Sequence, residues 1–269
     1  MVYLAPCRDE PRLQQTAKAM IAIERFHPRL AAVALLHGFL CLGAAAFAAN
    51  ELPVNAATAQ PKYREAARAQ VENLLRQPRP EDSFRALGEF ATEFPEDPLV
   101  SSIKPVAERR VADLQKLCAP PFGLVRSPTA AGLVYFPAYA DVNDWYVGGT
   151  MRHLDVATEG AMAAHLGVSA GRRLAENQVH WILGRNPFSV SLMEGVGSRF
   201  VPNYHHRYNT IPGNPRGAVP GALLNGIVRS WPHQDRPWLD LTPEPNADYH
   251  SNEPWLPHNN RWLLLLSVW

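Results

Sequence analysis

The sequence has little charge of either sign. Only 19% of its 269 residues are charged, and 26 basic against 25 acidic side chains leave a net charge of +1 with neutral histidines. Soluble domains average about 25% charged residues. Without a basic surplus, the chain lacks the electrostatic footprint of nucleic-acid-binding proteins, so we expect no nucleic-acid partner. Its 46% of hydrophobic residues also excludes an intrinsically disordered chain.

Cysteine is scarce as well. The three cysteines, Cys7, Cys41 and Cys118, lie far apart and form no C-x-x-C pair. This spacing indicates neither a disulfide framework nor a zinc knuckle. We expect the three side chains to behave as small buried hydrophobic groups.

Strand-like alternation is also missing, whereas apolar residues recur at helical spacing through the first two-thirds of the chain. The last of these segments ends near Gly184 with Pro187 just beyond, which is how helices commonly stop. The pattern predicts an all-α fold. The predicted helices lie at residues 13–21, 63–75, 84–94, 107–118, 154–164 and 174–181, with a short C-terminal helix at 262–269.

An apolar run covers residues 30–49. It is long enough for a membrane span, and its small-residue end is similar to that of a signal peptide. Nearly thirty residues precede the run, however, and His37 lies in its middle, which disfavours a membrane span. We expect a buried core helix and no membrane partner, while the location in the cell stays open.

The character of the chain changes at residues 184–257. Eleven prolines lie between Pro187 and Pro257, and the chain from Gly184 onward holds five of the ten histidines and five of the seven tryptophans. Loops of this length in a compact protein are usually functional or disordered. Because aromatic and aliphatic residues persist throughout, we interpret the segment as a functional loop region.

Three clusters around this region carry candidate chemistry. The first is Trp-Ile-Leu-Gly-Arg-Asn-Pro at 181–187 followed by residues 189–197, the second is residues 202–207, and the third is residues 248–260. Together they supply a carboxylic acid, imidazoles, a guanidinium and aromatic planes. Flat aromatic rings stack on sugar faces, and Arg, His and Asn form hydrogen bonds with hydroxyl groups. The clusters therefore favour a neutral, hydroxyl-rich ligand.

In these clusters the sequence resembles the C-terminal part of glycoside hydrolase family 9, the inverting cellulases and related β-glycosidases. The resemblance implies that the chain, apart from an uncertain stretch at residues 1–12, is one incomplete catalytic domain. It also implies a partial (α/α)6 toroid with long Pro- and aromatic-rich loops near the C-terminus. The expected substrate is a β-1,4-glucan or a related oligosaccharide.

The resemblance also assigns roles to individual residues. Asn252-Glu253 is similar to the Asn-Glu of the family's second signature, which implies that Glu253 donates the proton to the leaving oxygen. His205-His206-Arg207 is similar to the family's His-x-Arg, which implies that His205 and Arg207 contact the sugar near the cleavage point. Further candidates for substrate contacts are His206, Asn252, Tyr249, Trp255 and Asp144.

The sequence departs from the family signatures at several positions. Glu194 and Tyr204 stand where the first signature prefers other residues, and Glu244 stands where the second has an aspartate. Trp255 and Asn260 replace small residues after the acid. These departures leave room for an exo-acting or oligosaccharide-cleaving relative of the endo-cellulases.

One expected element is missing. Inverting hydrolysis needs a second carboxylate, roughly 6.5–9.5 Å from the acid, to activate water. In the family this base belongs to an Asp-Ala-Gly-Asp motif, and the sequence contains none. Asp141 and Asp144 mimic its spacing, but they lie just before a Trp-x-Gly-like segment at 145–149. We therefore expect the catalytic base to lie outside this chain, which would be the C-terminal portion of such an enzyme.

Two other interpretations remain open. A catalytically inactive remnant that binds glycan would fit the missing base, and an incomplete toroid would favour self-association through exposed helix faces. A metal-dependent hydrolase is the other, although its candidate ligands match no known spacing. No cofactor is expected, but structural calcium in the loops stays open. The candidate metal ligands are His205, His206, His233, His250 and His258 with Asp235, Asp240 or Asp248.

Overall fold

The computed structural model describes residues 61–129, 132–136, 148–230, 235–243 and 247–269. The predicted helix at 13–21, the apolar run at 30–49, Cys7 and Cys41 lie outside the described residues. Within them, no helix is long and apolar enough to cross a membrane.

Helices dominate the described chain, as the periodicity predicts. The first part contains α1 (Pro61–Leu75), a 3₁₀ turn (Pro80–Ser83), α2 (Phe84–Glu93) and α3 (Val100–Leu117). The middle contains α4 (Thr150–His165) and α5 (Ser169–Ile182). After the loop region come α6 (Tyr249–Asn252) and α7 (Leu256–Ser267), with a 3₁₀ turn at Arg207–Thr210 before them.

The strands of the described residues are two or three residues long. They pair as antiparallel ribbons: β1 (Cys118–Ala119) with β2 (Leu124–Val125), β3 (Ser127–Thr129) with β4 (Gly132–Val134), and β5 (Val228–Arg229) with β6 (Pro237–Trp238). Such short strands give no alternating pattern in a sequence, which is why the prediction contained none. The all-α prediction is confirmed, with these ribbons as local additions.

Helix α4 lies at the centre of the core. It packs along α5 and also contacts α2, α3 and α7. The approach to α5 is closest at Gly160 and Gly171, where an added Cβ atom would lie 2.7 Å and 2.4 Å, respectively, from the backbone oxygen of the other glycine. Large side chains, such as Phe84 and Phe90 on α2 and Leu154 on α4, are fully buried.

Helix α5 ends at Ile182, and Gly184 follows with a positive φ of 114°. This confirms the predicted stop. Helices α3, α4, α5 and α7 begin four to seven residues earlier than predicted, at Val100, Thr150, Ser169 and Leu256. Helices α3 and α7 each carry a proline in the N-terminal part, Pro105 and Pro257. In α7 the proline lies in the first turn, where its missing amide costs no hydrogen bond.

Cys118 differs from the prediction of a buried hydrophobic group. It is half-buried at the end of α3, and its thiol donates to the Leu114 carbonyl at 3.3 Å. Burial still raises the pKa of this thiol above its ordinary value. No reactive role follows from this position.

Candidate active site

Glu253 follows the short helix α6 directly. The Asp248 carboxylate caps α6 by accepting the backbone amide of His250 at 2.8 Å. Such a cap satisfies an amide that has no partner inside the helix. The helix ends at Asn252, and Glu253 is extended and partly exposed. The cap therefore fixes the turn that leads into Glu253.

Asn225 holds the same turn from the other side. Its backbone amide donates to the Glu253 carbonyl at 2.9 Å, and its side-chain amide donates to the Tyr249 carbonyl at 2.7 Å. Its side-chain oxygen lies 2.8 Å from Nε2 of the buried His258. Because Asn225 is fully buried, these bonds are shielded from water and fix the backbone on both sides of α6.

The start of α4 is joined to this turn. Gly148 donates its amide to the His250 carbonyl at 2.9 Å, and Thr150 donates to the Asn225 carbonyl at 3.2 Å. An added Cβ on Gly148 would lie 2.2 Å from the Asn225 oxygen. The glycine is thus required by close backbone approach, and it connects the helical core to the turn that carries Glu253.

Asn252, a predicted substrate contact, is fully buried. Its amide nitrogen donates to the carbonyls of Asn203 at 3.0 Å and Asp240 at 2.9 Å, and its oxygen accepts from the Ser251 hydroxyl at 2.7 Å. These bonds use its polar groups within the protein. The structure therefore places Asn252 behind the candidate site, as a residue that positions it.

Asp240 completes the buried network behind α6. Its carboxylate accepts the Thr242 amide at 2.9 Å, the Thr242 hydroxyl at 2.7 Å and the Asp248 amide at 2.8 Å. Burial alone would raise the pKa of this carboxyl, but the hydrogen bonds from Asp248 and Thr242 hold it below its ordinary value. Asp240 therefore stays ionised and orders the segment before α6.

His205 lies directly beside α6. Its backbone amide donates to the Asn252 carbonyl at 3.1 Å, and its ring meets Tyr249 edge-on at 5.8 Å between centroids. Nδ1 lies 2.8 Å from the Ala247 carbonyl oxygen. Because a carbonyl can only accept, Nδ1 carries the proton. In the neutral ring Nε2 is then an acceptor, suited to a hydroxyl group of a ligand.

The next two residues differ from His205 in their contacts. His206 accepts the Tyr208 amide on Nδ1 at 3.3 Å, so Nε2 carries the proton of its neutral ring, and it meets the Tyr208 ring at 4.2 Å. Arg207 begins a 3₁₀ turn and is exposed. Among the described residues, no carboxylate forms an ion pair with Arg207. The second cluster therefore offers an accepting ring nitrogen on His205, a donating ring nitrogen on His206 and the guanidinium of Arg207.

The aromatic candidates flank this arrangement. Tyr249 stacks on the His250 ring at 3.8 Å and is 37% exposed. Trp255 is half-buried before α7 and lies parallel to His258, with 6.4 Å between ring centroids. Tyr249 is thus available to a ligand on one edge, whereas part of the Trp255 ring covers the start of α7.

The remaining candidates are not brought together by the described chain. Asp141, Asp144, Glu244 and His233 lie outside the described residues. Across the described ranges, no three His, Cys, Asp or Glu side chains converge in a way that could hold a metal ion. The metal-dependent interpretation therefore receives no support from this part of the chain.

Sequence reasoning missed Asn225 and Asn203, and it named Asp240 only as a possible metal ligand. Asn225 offered a signal, because it is a polar residue inside the apolar stretch Ala222–Val228. A polar side chain in such a run must find hydrogen-bond partners. Asp240 and Asn203 gave no comparable signal, since they lie in Pro-rich loops where polar residues are ordinary.

Known proteins support the architecture and the family. The model for glycosyl hydrolase family 9 matches residues 100–266. Endoglucanase 17 of Arabidopsis thaliana is 27% identical over 152 residues, which is 47% of this chain and 28% of that protein. An endoglucanase of Phaseolus vulgaris is 42% identical over 50 residues, 19% of this chain and 10% of that protein.

Two solved structures share the fold. The endoglucanase of the termite Nasutitermes takasagoensis superposes with a TM-score of 0.53, and the cellulase Cel9M of C. cellulolyticum with 0.52. Both are 18% identical, and each match covers 83% of this chain and 49% of the other. The chain therefore spans about half the length of these structures and forms part of an (α/α)6 barrel. Since the family model covers more than half of its residues, this chain belongs to glycosyl hydrolase family 9.

Proposed function

We propose that this chain supplies the part of the active site that contains the general acid in an inverting β-glycosidase. The enzyme would cleave β-1,4-glucan or a related oligosaccharide. Glu253 protonates the leaving oxygen, and His205 and Arg207 hold the sugar at the cleavage point. The observation that carries the proposal is the direct backbone hydrogen bond from His205 to Asn252. It brings two clusters that are nearly fifty residues apart in sequence into one site.

The backbone around the proposed acid is fixed by hydrogen bonds. Hydrogen bonds hold the backbone at Glu253 and at its neighbour Asn252, and Glu253 itself is partly exposed. A proton donor must lie within hydrogen-bond reach of the leaving oxygen, and a rigid backbone keeps it there. Cellobiose is bound in a further structure of Cel9M, which has a TM-score of 0.51 and 16% identity over 83% of this chain. An oligosaccharide of the same kind is our proposed ligand here.

The water-activating carboxylate is proposed to come from outside this chain, because the sequence contains no Asp-Ala-Gly-Asp motif. The same observation favours the second candidate function, a glycan-binding protein without turnover. Structural calcium and self-association through helix faces remain further proposals. Leu256 and Leu263 on α7, exposed by 70% and 46%, are the helix positions to which self-association would apply among the described residues.

Azide separates the two functions in the full chain. Azide can replace the activated water: its nitrogen attacks the anomeric carbon, the bond from that carbon to the leaving oxygen breaks, and Glu253 supplies the proton to that oxygen. We expect cellotetraose with azide to give an α-glycosyl azide product. Glu253→Gln should reduce the yield by about 10²–10⁴-fold, as loss of a general acid does.

The control is Glu65→Gln on the exposed surface of α1, which should leave the yield unchanged. Equal yields from wild type and Glu253→Gln would remove Glu253 from the mechanism. Saturable binding of cellotetraose with no azide product would support the glycan-binding function instead.

A further inference from the structure

Two of the positions that depart from the family signature contact each other. The Tyr204 hydroxyl donates a hydrogen bond to the Glu194 carboxylate. Arg216 forms a two-pronged ion pair with the same carboxylate, at 3.3 Å from Nη1 and 3.1 Å from Nη2. Tyr204 is 1% exposed, and the Glu194 side chain is also largely buried. The two unusual residues thus belong to one three-membered cluster, the Glu194–Tyr204–Arg216 cluster.

Arg216 also holds the backbone that leads to the candidate site. Its Nη2 donates to the Val201 carbonyl at 2.8 Å and its Nε to the Pro202 carbonyl at 3.1 Å. In return, the Tyr204 amide donates to the Arg216 carbonyl at 2.9 Å. A guanidinium can make these bonds at once because its donors form a planar fork, whereas an ammonium is a single point charge.

His205 is the next residue along the chain. Its amide is bonded to Asn252, the neighbour of Glu253, so residues 201–205 run from the cluster on one side to α6 on the other. No helix or strand fixes this segment. Its geometry depends on the cluster at one end and on α6 at the other.

We propose that the Glu194–Tyr204–Arg216 cluster positions His205 relative to Glu253, so that the three residues determine how the sugar is held at the cleavage point. None of them need touch the ligand: they are positioning residues that act through the backbone of residues 201–205. The part of the proposal that concerns the sugar rests on the proposed function, while the part that concerns His205 does not.

The protonation state of the cluster fits this role. Burial, and then the hydrogen bond to Glu194, raise the pKa of Tyr204 well above its ordinary value. The hydroxyl therefore remains a donor throughout the neutral range, and the cluster stays intact there. The face of Tyr204 also lies under the Arg216 guanidinium, 5.7 Å from its ring centroid.

The test uses Tyr204→Phe and Arg216→Lys in the full chain without ligand. Tyr204→Phe keeps the ring and removes the bond to Glu194, and Arg216→Lys keeps the charge but loses the fork. We expect the amide of His205 to exchange its hydrogen about tenfold faster in each variant. The ring nitrogen chemical shifts of His205 should also move from one tautomer to a mixture, because Nδ1 no longer meets the Ala247 carbonyl squarely.

Controls separate positioning from general loss of structure. Tyr63→Phe on α1 makes the same chemical change outside the loop region and should alter neither readout. The amide of Leu183, which is bonded to Val179 at the end of α5, should exchange at the wild-type rate in all variants. Glu194→Gln keeps an acceptor for Tyr204 and should give an intermediate effect.

Cellotetraose then provides the functional readout. We expect its affinity to fall about tenfold in Tyr204→Phe and Arg216→Lys. Unchanged exchange and ring shifts at His205 would overturn the proposal, as would equal acceleration of His205 and Leu183. If wild type binds no cellotetraose, the proposed function fails, and the His205 readouts still decide whether the cluster positions that residue.

Discussion

The helical region, which comprises helices α1 to α5 between residues 61 and 182, and the described part of the loop region at residues 184–257 satisfy their backbone in different ways. In the first, helical hydrogen bonds pair the backbone and many apolar side chains share the burial. In the second, a few buried polar side chains bond to loop backbone. Asn186 makes four such bonds, to Trp181, Phe188 and Val190. The loop region therefore depends on a few residues for the hydrogen bonds that fix its backbone. The helical region instead spreads its stabilising contacts over many residues.

The consequence is a difference in how the two regions respond to change. A core side chain in a helix has many neighbours that retain their own contacts when it is truncated. Removing a buried amide instead leaves several polar groups unpaired at once, each at a cost of about 1–3 kcal/mol. A loop held in this way keeps a site rigid without regular structure, but it depends on individual residues.

The sharpest test of this comparison sets Phe90→Ala against Asn252→Ala. Phe90 is fully buried on α2, and its truncation should lower the free energy of unfolding by about 3–5 kcal/mol. Asn252→Ala should lower it by about 2–3 kcal/mol, because it removes the buried hydrogen bonds from the Asn252 amide to the Asn203 and Asp240 carbonyls. Urea unfolding measures both values.

The geometry of the candidate site should respond to these two variants in the opposite order. We expect the ring nitrogen shifts of His205 to stay unchanged in folded Phe90→Ala and to move in Asn252→Ala, whose backbone carbonyl is bonded to His205. Asn73→Ala, on the exposed side of α1, is the matched control and should change neither quantity. A shift of His205 in Phe90→Ala alone would contradict the division into two regions.

The same division explains how much could be predicted from sequence. Helices 61–75, 84–93 and 169–182 follow from the spacing of their apolar residues, because packing against a core imposes that period. The candidate acid and the candidate His-x-Arg segment followed from the family resemblance. The buried role of Asn252 could not be predicted, since its burial depends on Asn203 and Asp240, which lie 49 and 12 residues away in sequence. Loop contacts of this kind have no period.

A pH titration tests a residue at the junction of the two regions. His258 is fully buried at the start of α7 and bonded to Asn225, and burial lowers its pKa to about 3. The unfolded chain binds the proton near pH 6.5, so the stabilising effect of the neutral ring is complete above that pH and is lost progressively as the pH falls towards 3. Between pH 6.5 and 5 we expect a loss of about 2 kcal/mol from this residue.

His258→Phe should remove this contribution from the pH dependence. The variant leaves the side-chain oxygen of Asn225 without its hydrogen bond to His258. This loss lowers the free energy of unfolding at every pH by about 1–3 kcal/mol. The variant should, however, give a flatter profile than wild type between pH 6.5 and 5 in urea unfolding at each pH. Parallel profiles would show that His258 takes up its proton over the same pH range in the native and the unfolded chain. The buried His153 on α4, whose pKa burial holds well below its ordinary value, contributes equally to both profiles.

The smallest expected change in stability concerns Asp248, which is only partly buried. Asp248→Ala removes the cap of α6 and should lower the free energy of unfolding by about 1 kcal/mol. Asp248→Asn retains an oxygen for the His250 amide and loses only the charge beside the His250 ring. We expect it to cost a few tenths of a kcal/mol, since pairs this exposed contribute little.

Stability alone understates what this cap does, because α6 leads directly into Glu253. Loss of the cap should accelerate hydrogen exchange at the amides of Ser251 and Asn252, which are bonded to the Asp248 carbonyl, and should leave α2 unchanged. In the azide assay, Asp248→Ala should lower product yield more than Asp248→Asn does. Equal effects of the two variants would mean that the charge of Asp248, rather than its cap, holds the acid in place. In that case the loop region would depend on ion pairs at its surface as well as on its buried amides.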